Sequence, residues 1–282
     1  MPVPGYGERL QQAVRERGPL CVGIDPHPAL LRSWGLDADV AGLEACARGL
    51  VEALGAEVAV FKPQSAFYEA YGSAGVAVLE RVLADIAEAG ALSLLDVKRG
   101  DIGSTMDAYT AAYLTDGSPL AADAVTLSPY LGFGSLDGAI AQAAASGRGV
   151  YVLALTSNPE GPQVQHARDE GGRRVGQLVV DEAAARNRAA GAPGMGHVGV
   201  VAGATIGRTG VDFSALGGSI LAPGIGAQGG TAEDLVEVFG PAVGLVLPTT
   251  SREVMAAGPD PEALRAAARR SVASMRSVLG VG

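Results

Sequence analysis

In Leu94-Leu95-Asp96-Val97-Lys98-Arg99-Gly100-Asp101-Ile102-Gly103-Ser104-Thr105, an apolar run ends and the ionisable side chains Asp96, Lys98 and Asp101 follow with alternating sign. Side chains two residues apart on a strand share a face, so Asp96 and Lys98 are expected to point the same way. Asp101 lies beyond the predicted strand, in the turn. Taken alone, the pattern is as typical of a solvated turn between a strand and a helix as of a catalytic cluster.

Short apolar runs of this kind recur along the whole chain and predict eight strands buried on both faces. They cover residues 20–24, 58–61, 92–97, 124–127, 150–155, 198–202, 220–222 and 243–247. Helical patterns of apolar residues separate most of them, and a last helix is predicted over Pro261–Leu279. Strands that alternate with helices are typical of an α/β protein with a parallel sheet.

The predicted architecture is a (β/α)8 barrel, or TIM barrel, formed as a single domain over residues 1–282. A short amphipathic helix over residues 7–17 would cover the bottom of the barrel. A polar insertion at about residues 158–174, after the fifth strand, would lie on the face that carries the active site. Residues 203–218 show no clear helix, so a doubly wound open sheet is the alternative.

Composition and charge argue against several classes of protein. The formal net charge of −9 disfavours general binding to nucleic acid or to anionic membranes, because the field of the molecule repels polyanions. The N-terminal residues contain no apolar signal region, and the longest uncharged run, residues 213–232, is too rich in Gly and Pro for a membrane helix. Cys21 and Cys46 are predicted to be reduced core thiols. We therefore expect a soluble cytoplasmic protein.

Lysine is rare in this chain. Of the 21 Lys and Arg residues only Lys62 and Lys98 are lysine, and both follow apolar runs. Arginine serves at the other basic positions of the chain. The two lysines therefore mark places that require a compact ammonium group with an adjustable pKa. The two lysines are therefore candidate functional residues.

Polar side chains gather where the predicted strands end, which is where barrels of this type carry their active sites. Asp25, Lys62, Asp96 and Lys98 end the first three strands and would form an array of alternating charge. Neighbouring carboxylates keep a lysine protonated, and a protonated lysine on a rigid strand can act as a general acid. The alternative is a salt-bridge network that only seals the mouth of the barrel.

A glycine-rich segment follows the seventh strand and contains a G-x-G-x-x-G pattern from Gly224 to Gly229. A dinucleotide-binding fold would place this pattern near the first strand, with an acidic residue about 20 positions later, and neither condition holds here. We therefore predict a phosphate site built from this loop, from a helix capped by Thr231 and Asp234, and from Arg252. A flexible turn beside a surface arginine is the alternative.

Metal and nucleophile chemistry are not predicted. His27, His166 and His197 lack the spacing of metal ligands, so a zinc site is not expected. Ser157 has no histidine partner in the sequence, which argues against a nucleophilic triad.

In order and spacing, these motifs resemble the orotidine 5′-phosphate decarboxylase family over about residues 20–255. The longer bacterial (type 2) form is the closer likeness, because of Phe61-Lys62-Pro63-Gln64 and Thr156-Ser157-Asn158-Pro159-Glu160-Gly161. The other motifs that carry the resemblance are Asp25, Asp96-Val97-Lys98-x-x-Asp101-Ile102-x-x-Thr105 and Pro223-Gly224-x-Gly226-x-Gln228-Gly229-Gly230. The resemblance implies a TIM-barrel homodimer that converts orotidine 5′-monophosphate to uridine 5′-monophosphate and carbon dioxide, without a cofactor or metal.

The resemblance also implies a catalytic role for four residues. Asp96 would lie against the substrate carboxylate, Lys98 would protonate C6 of the pyrimidine, and Lys62 would link Asp96 to the ribose hydroxyls. Asp101, together with Thr105, would reach into the active site of the neighbouring subunit.

Substrate binding would fall to residues around this catalytic group. Two of them, Pro223 and Ile225, would form the pocket wall near the reacting carbon. The others would be Asp25 at the ribose, Ser157 at the pyrimidine, Gln228 between base and phosphate, and Gly229, Gly230 and Arg252 at the phosphate.

Two other functions are compatible with these residues. A metal-dependent relative that acts on a sugar phosphate would use Asp96 and Asp101 as magnesium ligands. Lys62 argues against it, because a second cation leaves less need and less room for a metal. A catalytically silent barrel that only binds a nucleotide is the other alternative.

Overall fold

The computed structural model describes residues 4–191, 194–226 and 229–280, and its strands form one closed parallel barrel. The strands are β1 Cys21–Ile24, β2 Val60–Pro63, β3 Leu92–Arg99, β4 Ala124–Leu127, β5 Gly149–Leu155, β6 Val198–Ala202, β7 Ile220–Pro223 and β8 Val246–Thr250. Each strand pairs with the next in chain order, and β8 returns to β1 with Thr249 opposite Cys21. The predicted (β/α)8 barrel is confirmed, and a doubly wound sheet is excluded because the sheet has no open edge.

The helices of the described residues connect these strands. They are α1 Tyr6–Arg17, α2 Pro28–Ser33, α3 Val40–Leu54, α4 Ser65–Glu69, α5 Gly72–Glu88, α6 Gly103–Leu114, α7 Asp137–Ala145, α8 Pro162–Gln165, α9 Val175–Ala190, α10 Ala232–Phe239, α11 Arg252–Met255 and α12 Pro261–Leu279. The last helix, α12, agrees with its predicted position at both ends. None of these helices is long and apolar enough to cross a bilayer.

The eighth strand differs from its predicted position. The apolar run 243–247 predicts a strand, but Gly240–Leu245 forms a 3-10 helix with Pro241 in its first turn, and β8 begins at Val246. Proline suits the first turn of a helix because its ring fixes φ, whereas the β-branched Thr249 and Thr250 suit a strand. Both threonines are buried in β8. A search for apolar runs cannot find the end of a strand that is formed by two polar residues.

Side chains on each strand alternate between the inside of the barrel and the layer under the helices. On β1, Cys21 packs inside the barrel, whereas Val22 packs in the outer layer. Cys21 and Cys46 are buried free thiols, as predicted, and burial raises the pKa of each to about 12. Tyr6 of α1 packs in the inner cluster and against Gly149 at the start of β5, so α1 covers the end of the barrel opposite the strand C-termini.

The connection from β6 to β7 contains no helix over its described residues 203–218, as the sequence predicts. The buried side chain of Asn187, on α9, stabilises this part of the barrel instead. Its Nδ2 donates to the carbonyls of Val198 at 2.8 Å and Leu216 at 3.0 Å, and its Oδ1 accepts from the Val198 N–H at 3.0 Å. One amide therefore joins α9, β6 and the loop that leads to β7.

Asn187→Ala is expected to lower the free energy of unfolding by about 3 kcal/mol, because buried backbone groups of Val198 and Leu216 lose their partners. Urea denaturation measures the change. The control Gln12→Ala removes an exposed amide on α1 and should change the free energy by less than about 0.5 kcal/mol. An Asn187→Ala protein as stable as this control would contradict the role of the side chain.

Candidate active site

A carboxylate, Asp96, lies at the centre of the charged cluster. It sits near the C-terminal end of β3, and only 6 % of it is exposed. Its Oδ1 atom accepts hydrogen bonds from Lys98 Nζ at 2.7 Å and from Thr126 Oγ1 at 2.8 Å. Its Oδ2 atom accepts hydrogen bonds from Lys62 Nζ at 3.1 Å and from Gln64 Nε2 at 2.8 Å. Each oxygen is thus held by one ammonium group and one neutral donor.

Three neighbouring strands supply this arrangement. β2 carries Lys62, β3 carries Asp96 and Lys98, and β4 carries Thr126, so parallel pairing brings the four side chains to one end of the barrel. Over residues 4–191, 194–226 and 229–280, Lys98 is the only non-glycine residue with a positive φ, of 48°. A left-handed backbone is strained for a residue with a Cβ, and such strain is concentrated at functional sites.

Burial and charge act in opposite directions on these groups. Burial alone would raise the pKa of Asp96, but the ammonium groups of Lys62 and Lys98 outweigh it and hold this pKa well below its ordinary value. Burial alone would lower the pKa of Lys62, but the carboxylates of Asp96 and Asp25 outweigh it and raise this pKa. Asp96 and Lys62 are therefore both charged at neutral pH.

Two adjoining cavities open beside the cluster and share Lys62 and Pro223 as lining residues. The first has a volume of about 90 Å³ and is lined both by polar groups and by the apolar side chains of Leu153, Leu155, Val201 and Leu221. The second has a volume of about 100 Å³ and is lined by Asp25, Gly224, Ile225, Thr249, Ser251 and Arg252.

A larger groove, of about 860 Å³, lies outside the barrel between α3 and α5. It is lined by small side chains and by charged residues that pair with one another, such as Arg48 with Glu44 and Asp85. Because it contains none of the strand-end residues, we locate the active site by the charged cluster and not by volume.

Asp25 follows β1 directly and lines the second cavity. Its Oδ1 atom is buried and has no hydrogen-bond partner. A buried carboxylate oxygen without a donor is costly, so a hydroxyl group of a bound molecule is a suitable partner for it.

The predicted phosphate loop follows β7. Thr231 and Asp234 form the predicted cap of α10, since the Asp234 N–H donates to Thr231 Oγ1 at 3.2 Å and the Thr231 N–H donates to Asp234 Oδ2 at 2.8 Å. The N–H groups of Gly229 and Gly230 donate to carbonyls within the loop, and would have to exchange these partners before they could bind a phosphate. Gln228 lies outside the described residues.

The remaining predicted binding residues lie on other loops at the same end of the barrel. Arg252 begins α11 directly after β8, and its exposed side chain lines the second cavity. Ser157 follows β5 and lines the first cavity. The predicted residues that line the two cavities are Asp25, Lys62, Asp96, Lys98, Ser157, Pro223, Ile225 and Arg252.

Asp101 and Thr105 do not line the cavities of their own chain. Asp101 Oδ1 accepts a hydrogen bond from the Ile102 N–H at 2.8 Å, and Thr105 is exposed in the first turn of α6. Ile102, next to Asp101 in sequence, is 62 % exposed, and Tyr130 and Leu131, in the connection after β4, are 80 % and 52 % exposed. The connections that follow β3 and β4 therefore both expose large apolar side chains.

The sequence assigns no function to two residues of the cluster, Gln64 and Thr126. Gln64 lies two positions after Lys62, and Thr126 lies in a run that predicts only an apolar strand. Ala124, two positions before Thr126, packs inside the barrel, so a polar residue on the inward face of a strand is the signal that could have indicated Thr126. Which residues the Thr126 hydroxyl contacts depends on how β4 is aligned with β3. A single sequence does not give that alignment.

The chain is similar to known proteins over nearly its whole length. The model of the orotidine 5′-phosphate decarboxylase / HUMPS family matches residues 18–267. Over 274 residues the chain is 62 % identical to an orotidine 5′-phosphate decarboxylase of Salinispora arenicola and 61 % identical to one of Salinispora tropica, covering 97 % of this chain and 98 % of each relative. A crystal structure of a protein from Streptomyces avermitilis is similar, with a TM-score of 0.96 and 54 % identity, covering 99 % of this chain and 98 % of that one.

The low pKa of Asp96 predicts how stability depends on pH. A carboxyl group whose folded pKa is below its unfolded value of about 3.9 stabilises the fold above that value, and this contribution is lost as the pH falls toward the folded pKa. Asp96→Asn is therefore expected to flatten the decline of unfolding free energy between about pH 5 and pH 2. Urea denaturation at a series of pH values measures the slope. The exposed control Asp37→Asn should keep the wild-type slope, and the same slope in Asp96→Asn would contradict the pKa.

Proposed function

The chain belongs to the orotidine 5′-phosphate decarboxylase / HUMPS family, and from this premise we propose that it decarboxylates orotidine 5′-monophosphate with Lys98 as the proton donor. The products are uridine 5′-monophosphate and carbon dioxide, and the reaction is the last step of de novo pyrimidine nucleotide synthesis. The observation that carries this proposal is the buried Asp96 carboxylate, held between Lys62 and Lys98 beside a cavity with an apolar wall.

Decarboxylation breaks the bond between C6 of the pyrimidine and the carboxylate carbon, and the electron pair of that bond stays on C6. Without a cofactor to receive this pair, the barrier has to be lowered by charges that are fixed before the reaction begins. The ammonium group of Lys98 is such a charge, and it donates a proton to C6. The Lys98 side chain is 46 % exposed, so the neutral amine can regain its proton from solvent.

Asp96 acts on the carboxylate that leaves. Its negative charge repels the carboxylate of the substrate but not neutral carbon dioxide, so the repulsion disappears as the product forms. Lys62 and Gln64 hold its second oxygen, which prevents the group from turning away. The first cavity also has an apolar wall, which suits carbon dioxide better than a carboxylate, and which is formed by Leu153, Leu155, Val201 and Leu221.

The second cavity is the proposed site of the ribose and the phosphate. Asp25 offers its unpaired oxygen to a ribose hydroxyl, and Arg252 offers a bidentate donor to the phosphate. Gly229 and Gly230 would add backbone N–H groups after exchanging their loop partners, and Ser157 would bind the pyrimidine in the first cavity. Phosphate binding is remote from C6, so its binding energy can hold the pyrimidine against the charged cluster.

We infer a homodimer with shared active sites. Asp101 and Thr105 do not line the two cavities of their own chain, and the connections after β3 and β4 expose the apolar side chains of Ile102, Tyr130 and Leu131. Large exposed apolar side chains mark interaction surfaces, and a symmetric dimer that buries them would carry the two polar residues toward the partner's site.

The proposal extends to the whole chain as one domain over residues 1–282, located in the cytoplasm. The free thiols of Cys21 and Cys46 support a reducing compartment. The insertion 158–174 borders the proposed pyrimidine site, because its Gln165 accepts from the Thr156 N–H at 2.8 Å and donates to Thr156 Oγ1 at 2.7 Å.

A magnesium-dependent reaction on a sugar phosphate is the main rival. Both oxygens of Asp96 already accept from ammonium groups, which repel a cation, and Asp101 accepts from its own turn. Among the residues that the structure describes, no three His, Cys, Asp or Glu side chains form a metal-binding group. The pairing of both Asp96 oxygens with ammonium groups therefore favours a reaction without magnesium at this carboxylate.

Purified protein is expected to consume orotidine 5′-monophosphate in the presence of EDTA, as followed by ultraviolet absorbance. Lys98→Ala should lower kcat by about 10³-fold, because the proton donor is lost, while binding of uridine 5′-monophosphate stays measurable by calorimetry. The control Arg48→Ala removes an exposed cation on α3 and should keep wild-type turnover. Strict dependence on magnesium would favour the sugar-phosphate rival, and binding without turnover by the wild-type protein would favour the silent barrel.

Mixing Asp101→Ala subunits with Lys98→Ala subunits tests whether active sites are shared. After subunit exchange, heterodimers should carry one site with both residues intact, and about one quarter of the wild-type activity is expected from random pairing. Each variant alone is the control. Activity that stays at the level of the separate variants would show that Asp101 does not act in the partner's site.

A further inference from the structure

The hydroxyl group of Thr126 lies between the backbone of Lys98 and the carboxylate of Asp96. Thr126 is on β4 and is 1 % exposed. Its Oγ1 accepts a hydrogen bond from the Lys98 N–H at 2.9 Å and donates one to Asp96 Oδ1 at 2.8 Å. The N–H can only donate and the ionised carboxylate can only accept, so the single hydroxyl hydrogen is committed to Asp96.

The backbone of Lys98 needs this partner because the ladder between β3 and β4 is interrupted there. The two strands pair regularly up to Leu95 and again at Arg99, and the register shifts between these residues. Lys98 lies in the resulting bulge with a φ of 48°, where its N–H points to a side chain of β4 and not to a carbonyl of that strand. Thr126 thus replaces a missing ladder bond at the strained residue.

The same hydroxyl also limits where Asp96 can turn. Asp96 Oδ1 accepts from Lys98 Nζ and from Thr126 Oγ1, which approach it from different strands. The backbone and the side chain of Lys98 are therefore tied to one another through Thr126 and Asp96. Asp96, Lys98 and Thr126 all line the first cavity. A shift of the Thr126 hydroxyl or of the Asp96 carboxylate would therefore displace the Lys98 ammonium group relative to this cavity.

We propose that Thr126 is a positioning residue, whose hydroxyl holds the Lys98 backbone in its left-handed conformation and fixes Asp96 Oδ1, so that the ammonium group is aimed at the reacting carbon. This inference rests on the proposed function, in which Lys98 is the proton donor. Thr126 takes no part in proton transfer, because its only hydrogen is directed at Asp96.

The test compares Thr126→Val, which keeps the shape and removes the hydroxyl, with Thr126→Ser, which keeps the hydroxyl. Thr126→Val is expected to lower kcat by about 10²-fold, a loss typical of a catalytic group displaced by about 1 Å, while KM changes by less than about threefold. Thr126→Ser should restore kcat to within about threefold of the wild type. Thr110→Val is the matched control, because it removes another buried threonine hydroxyl, one that donates to the Met106 carbonyl at 2.8 Å within α6.

Hydrogen exchange at the Lys98 backbone amide gives a second measurement that does not depend on activity. Exchange should be at least about tenfold faster in Thr126→Val than in the wild type, because the N–H loses its partner, and unchanged in Thr126→Ser and Thr110→Val. If Thr126→Val does not fold, Thr126→Ala gives the same readouts without crowding Asp96.

Wild-type kcat together with wild-type exchange in Thr126→Val would overturn the proposal. A loss of kcat that Thr126→Ser does not restore, or one accompanied by a large rise in KM, would also overturn it, because either result indicates general disruption of the pocket. If the wild-type protein does not decarboxylate the nucleotide, the proposed function fails. Faster exchange at Lys98 in Thr126→Val would then still support the role of the hydroxyl in holding this backbone.

Discussion

A buried carboxylate between two ammonium groups is the constraint on which this active site depends. Removing Asp96 from water without partners would cost several kcal/mol or lead to its protonation, and Lys62 and Lys98 prevent both outcomes. Lys62 is itself buried and keeps its charge because Asp96 and Asp25 are close to it. Each group therefore keeps its neighbours ionised. Loss of Asp96 or Lys62 would leave the other of this buried pair with less compensation for its charge, whereas Lys98 is half exposed and can be solvated without a partner.

The barrel makes such a cluster possible because parallel neighbours end at the same face. Lys62, Asp96 and Thr126 come from three consecutive strands, and their spacing is set by strand pairing and not by flexible loops. Lys62 and Pro223 line both cavities, so the charged cluster adjoins the side of the barrel that carries Arg252. The proposed sites of proton transfer and of phosphate binding are therefore far apart in sequence and adjacent in space.

The sequence predicts the strands and the charged strand ends because both are local properties. Buried strands are short apolar runs, and Asp25, Lys62, Asp96 and Lys98 follow such runs directly. It does not predict the bulge at Lys98, because the offset between β3 and β4 depends on the packing of the closed barrel. For the same reason the role of Thr126 is not visible in a single sequence. The start of β8 is misplaced because an apolar run continues from a 3-10 helix into the strand, so hydrophobicity does not mark the boundary.

Both lysines of the chain donate to the same carboxylate, and the chemistry of the ammonium group explains why arginine does not replace them. A guanidinium group tends to cover both oxygens of a carboxylate with its planar fork, as Arg81 does at Glu44, and on Asp96 such a fork would compete with Thr126 and Gln64 for the same oxygens. An ammonium group needs only one oxygen and keeps two further hydrogens for other partners. Arginine also does not give up its proton in proteins, whereas a proton donor must release one in every cycle. An arginine-rich chain therefore retains lysine where a buried carboxylate also accepts from neutral donors and where the proposed proton donor, Lys98, has to release its proton.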